Sequence, residues 1–89
     1  MKAIKLRVYG KVQNVGFRVF ISKVAQELGI RGYVKNEDQG SVLVYGVGEE
    51  DKIDELIKIT KKGSERSKIE LVEVRDAEII SFMGFDVRN

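Results

Sequence analysis

Among its 89 residues the chain has no cysteine, no histidine and no proline. Without cysteine there is neither a disulfide nor a thiolate nucleophile. Without histidine the usual general base, the usual phosphoryl acceptor and the commonest metal ligand are missing together. Any catalysis must therefore run on backbone amides, Arg and Lys, carboxylates, carboxamides or hydroxyls. The absence of proline removes slow X-Pro isomerisation from folding. An excess of one charge is lacking too: 16 Lys and Arg against 14 Asp and Glu leave a net charge of +2. The two signs are mixed along the chain, so no basic stripe for a nucleic acid is evident. No apolar run approaches the length of a membrane span, and the N-terminus lacks the apolar core of a signal peptide. A cytoplasmic protein with neither membrane nor nucleic acid as partner is the default expectation.

What is present suffices for one core. Apolar residues make up 43% of the sequence, and no repeat, linker or low-complexity tract divides residues 1–89, so a single domain is expected, near the size at which one core becomes marginal. Ile4, Leu6 and Val8 alternate with Lys5, Arg7 and Tyr9, the period of a half-buried strand over about residues 3–9. Phe17, Ile21, Val24, Ala25 and Leu28 recur at three- and four-residue steps, the stripe of an amphipathic helix over about residues 17–29, with Gly29 as its stop. Arg31 to Lys35 reads as a second strand, Asn36 to Gly40 as a turn and Ser41 to Val47 as the returning strand of a hairpin. A second helix spans about residues 50–62, with Glu49 to Asp51 at its start and Lys61 and Lys62 at its end, both suited to the helix dipole. That dipole explains the acidic run better than a metal does. Gly63 closes this helix and a polar loop follows to Lys68. Leu71, Val72 and Val74 mark a fourth strand, and Phe85 to Val87 a short last one. The order βαββαβ plus a short extra C-terminal strand predicts an α+β sandwich, with two helices on one face of an antiparallel sheet.

The most informative stretch joins the first strand to the first helix: Gly10-Lys11-Val12-Gln13-Asn14-Val15-Gly16-Phe17-Arg18. A short loop at a helix start leaves N–H groups without intrahelical partners. With the positive end of the helix dipole these form a ready anion site. Arg18 adds a planar guanidinium suited to a two-point grip on phosphate. The dipole disfavours an Arg in a first turn, so an anion between Arg18 and the helix start is the better explanation of its place. The loop is neither GxxxxGK[ST] nor GxGxxG. Taken by themselves, these residues also fit a plain solvated turn.

This stretch resembles the signature G-x-V-Q-G-V-x-F-R of acylphosphatases. A second block, Gly29-Ile30-Arg31-Gly32-Tyr33-Val34-Lys35-Asn36 followed by Gly40-Ser41-Val42, is similar to that family's G-[LI]-x-G-[WY]-V-[RK]-N…G-S-V, in the same order and spacing. One position departs: Asn14 stands where the family usually has Gly. The resemblance implies a ferredoxin-like fold and hydrolysis of acyl phosphates to a carboxylate and inorganic phosphate by water, without metal or cofactor. It implies that Arg18 binds the phosphoryl group and that Asn36, by residue type an ordinary turn residue, holds the attacking water. Backbone N–H groups of Gln13, Asn14, Val15, Gly16, Phe17 and Arg18 would complete the phosphate-binding loop, their side chains mattering less. Val12 and Val15 read as wall residues and Phe17 as core. A small-molecule acyl phosphate is the implied substrate, inorganic phosphate or sulfate a product-like ligand, and a monomer is expected. The other reading is a non-catalytic or weakly catalytic anion-binding domain, as occurs within larger maturation proteins. An RNA-recognition module of the same element order would need the motif K/R-G-F-G/A-F-V-x-F, which Ser41 to Val47 does not supply.

Overall fold

A computed structural model describes residues 1–89 as β1 (Lys2–Lys11), α1 (Phe17–Glu27), β2 (Arg31–Asn36), β3 (Val42–Gly48), α2 (Glu50–Lys62), β4 (Lys68–Asp76) and β5 (Phe85–Arg88). The strands form one sheet in the order β4-β1-β3-β2-β5. β1 is antiparallel to β3 and β4, and β2 to β3, as expected. β5 runs parallel to β2, pairing Gly32 with Phe85 and Lys35 with Arg88, so the five-stranded sheet is mixed. β1 is longer than its alternating residues suggest, and between Tyr9 and Gly10 its register on β4 shifts. A bulge of this kind bends a strand and raises its twist, here just before the loop of interest. β4 likewise extends on both sides of its apolar residues, because pairing with β1 satisfies backbone groups whatever the side chains are.

Both helices cover one face. Ile21 and Ala25 from α1 and Ile53 and Leu56 from α2 pack with Ile4, Leu6, Val8, Val34, Val42, Val44 and Phe85 in one core, where Val12, Val15 and Phe17 are also buried. Each large aliphatic side chain so buried contributes about 1.5–3 kcal/mol. The helix ends follow from local chemistry. Gly29 takes φ 71° beyond the end of α1. Glu50 and Asp51 lie in the first turn of α2, with Lys61 and Lys62 in its last. No helix is long and apolar enough to cross a membrane.

Two helices on one face of the sheet would leave the second face of β3 open, yet all its residues are buried. The segment after β4 lies over that face. Tyr45 donates its hydroxyl to the Glu78 carbonyl (2.6 Å) and accepts the Ile80 N–H (2.9 Å). Phe82 packs on Tyr33 and Tyr45, with ring centroids 5.8 and 5.2 Å away. Gly32 permits the tight pairing beneath, since a Cβ there would stand 2.0 Å from the Tyr45 carbonyl oxygen.

Candidate active site

The loop from Val12 to Gly16 leaves β1 and enters α1 through two left-handed residues, Asn14 (φ 61°) and Gly16 (φ 77°). Asn14 is the single non-glycine residue with positive φ, the conformation its residue type tolerates best. Val12, Val15 and Phe17 point into the core while Asn14 and Gly16 are exposed. Of the backbone hydrogen bonds made outside helices and strands, none is donated by Gln13, Asn14, Val15 or Gly16. The N–H groups of Phe17, Arg18 and Val19 join them, since a helix start leaves its first turn without intrahelical acceptors. The result is a row of donors at the positive end of α1, with no side-chain cap. Because Asn14 already holds the backbone shape that glycine would take, Asn14→Gly should change stability by no more than about 1 kcal/mol. Its rate should stay within about tenfold of wild type, because glycine reaches the same φ freely. Thermal unfolding and hydrolysis kinetics of that variant check both.

Arg18 is half-buried in the first turn of α1. Its Nη1 donates to the Arg88 carbonyl (2.6 Å) and faces Asn89 Oδ1 at 3.4 Å, contacts that β5 brings within reach. Nε and Nη2 make no protein hydrogen bond. They form the two-point edge of the guanidinium, the same edge with which Arg7 grips the Glu37 carboxylate at 2.8 and 3.0 Å. Arg7 is thereby committed to a carboxylate and Arg18 is not.

Asn36 ends β2. Its Oδ1 is shielded and has no hydrogen-bond partner, so the carboxamide is not spent on the fold. Together with Lys35, Glu37, Asp38, Gln39 and Asn89 it lines a polar cleft of about 360 Å³. Asn89 links the parts: it meets Arg18 on one side and shares the cleft wall with Asn36 on the other. The N–H row from Asn14 to Phe17 is not in that wall.

Reading Gln13 as a backbone contributor only misses what its side chain does. Its Nε2 donates to the carbonyls of Glu37 (2.8 Å) and Ser41 (2.9 Å), tying the loop to the β2–β3 hairpin. Glu37 also accepts from Ser41 Oγ at 2.7 Å. The Arg7 hydrogen bond foremost, helped by Ser41, holds the Glu37 carboxyl below the usual carboxylate range. Arg7, Gln13, Glu37 and Ser41 thus brace the turn next to Asn36. No sequence motif could have announced this brace, because Arg7 and Glu37 are 30 residues apart and meet only through strand register.

Comparison with known proteins identifies the family. The acylphosphatase profile matches residues 4–87. An acylphosphatase of Archaeoglobus fulgidus is 46% identical over 87 residues, covering 98% of both chains. The crystal structure of acylphosphatase from Bacillus subtilis superposes with a TM-score of 0.96 at 30% identity, covering 100% of both chains. An acylphosphatase structure from Coxiella burnetii gives 0.94 at 33% identity, covering 98% of this chain and 92% of that one. With a family profile spanning nearly all of it and a full-length relative at 46% identity, the chain belongs to the acylphosphatase family.

Proposed function

We propose that this acylphosphatase hydrolyses the carboxyl-phosphate anhydride of small acyl phosphates at the loop that opens α1, with Arg18 and Asn36 as its catalytic residues. The carrying observation is the row of unspent N–H donors from Gln13 to Gly16 at the start of α1, with the free Nε–Nη2 edge of Arg18 in its first turn. Phosphoryl oxygens take those donors, and the positive field is preorganised for the charge they carry in the transition state. The Asn36 carboxamide, whose oxygen no protein group engages, orients a water for attack in line with the leaving carboxylate. Positioning then supplies most of the rate.

The leaving group explains why histidine is dispensable. A carboxylic acid with a pKa of about 4 departs as its anion without a proton donor. The attacking water can pass its proton to a phosphoryl oxygen, so no protein base is required. An alkyl phosphomonoester, whose alkoxide needs protonation, is a poor substrate for this inventory. Cradle amides and Arg18 supply the counter-charge that Mg²⁺ provides elsewhere.

Benzoyl phosphate hydrolysis in exhaustive EDTA tests the mechanism. Turnover should be unchanged within about twofold, since the proposed charge stabilisation comes from fixed protein dipoles and Arg. Activity lost on chelation and restored by Mg²⁺ overturns it.

A further inference from the structure

The sheet face away from the helices carries a second cationic hollow, lined by residues of β1, β3 and β4. It encloses about 210 Å³ between Lys5, Arg7, Leu43, Glu73 and Arg75. Lys5 and Arg75 face each other directly across β1 and β4. Like charges in that position destabilise a strand pair. Neither has a counter-ion: the ion pairs of the protein are Lys2–Asp54, Arg7–Glu37 and Arg88–Asp86. Asp76 and Glu78 line the adjoining hollow with Lys5 but stay outside ion-pair distance of it. Arg75 stands on the edge strand β4, where a charge is ordinary, but Lys5 stands on the inner strand β1, so protection of a sheet edge does not account for the pair. Arg7 adds a third donor: its Nε and Nη2 hold Glu37 and its Nη1 is free.

We propose that this hollow is an inorganic phosphate site, separate from the loop at α1. Lys5, Arg75 and Nη1 of Arg7 supply donors to three oxygens. Glu73 is the one carboxylate in the wall. Its Oε1 accepts the Tyr9 hydroxyl at 3.1 Å, which leaves Oε2 as an acceptor. An anion seated here must therefore offer a hydrogen to Glu73 while its other oxygens meet the cations. Inorganic phosphate retains at least one O–H at neutral pH. Sulfate has none, and a phosphate monoester, with a second pKa of about 6, has largely lost its own. Size points the same way, since the hollow is smaller than the roughly 300 Å³ at which sites for drug-sized ligands begin. It would hold about seven waters, room for one phosphate together with a few waters. Phosphate is also a product of the reaction proposed for the loop, so the anion is present wherever that chemistry runs.

Backbone amide shifts in ¹H–¹⁵N NMR spectra, followed during parallel titrations with sodium phosphate and sodium sulfate at constant ionic strength, test the proposal. Amides of Lys5, Arg7, Glu73 and Arg75 should move saturably with phosphate, with an apparent Kd at least tenfold below that for sulfate. In Lys5→Gln/Arg75→Gln that response should vanish. In Glu73→Gln, which keeps both cations, the preference for phosphate over sulfate should fall below threefold, and this variant decides the matter if the double one fails to fold. Shifts that do not saturate, equal response to the two anions in the wild type, or an unchanged preference in Glu73→Gln overturn the site. Amides of Asn14 to Arg18 report the loop independently in the same spectra. Failure on the sheet face therefore leaves the catalytic reading standing, and failure at the loop leaves this one.

Discussion

Arg18→Ala should lower kcat/KM for benzoyl phosphate by about 10²–10³-fold or more, the usual cost of removing a preorganised donor from a developing negative charge. The fold should survive. Arg18 is partly exposed, and its protein contacts are one carbonyl and one side chain near the chain's last residues. Loss of these costs about 1 kcal/mol, the net worth of an ordinary hydrogen bond. Arg18→Lys should recover little, because an ammonium is a point charge and cannot reproduce the Nε–Nη2 edge. Circular dichroism and thermal unfolding beside steady-state kinetics separate the two effects. A folded Arg18→Ala protein with more than half of wild-type turnover would remove Arg18 from the mechanism.

Asn36→Ala should act on kcat rather than on KM. Its proposed partner is the water, which matters in the transition state, and not the phosphate bound in the ground state. Misplacing a reacting group by about 1 Å costs on the order of 10²-fold, and a fall in kcat of that size is expected. Stability should hardly change, because the deleted carboxamide oxygen is buried without a partner and the fold gains nothing from it. If KM rises while kcat stands, Asn36 binds substrate and does not position water.

Both experiments depend on a division among arginines that residue type cannot make. Arg7 and Arg18 look alike as basic residues beside a loop. The strand register carries Arg7 alongside the hairpin, where Glu37 occupies its two-point edge. Parallel pairing of β5 with β2 brings the Arg88 carbonyl and Asn89 to one corner of Arg18, and its corresponding edge stays free. Gln13 shows the same limit from the other side. Its place in the loop motif was legible, but the two carbonyls that hold its side chain lie 24 and 28 residues away.

By itself the sequence determined whatever depends on neighbours a few residues apart. Alternation and three-to-four spacing specified the strands and helices, because a side chain's direction follows from local backbone geometry. The helix-end glycines and the left-handed Asn14 follow from the sterics of single residues. The anion-ready helix start is local too, being a property of the first turn. Tertiary structure alone decided the mixed sheet, the cover over β3, the brace behind Asn36 and the facing cations Lys5 and Arg75. Each of these joins segments far apart in the chain, and such pairings are selected by the packing of the whole core, where a one-residue slip would turn every side chain of a strand to the other face.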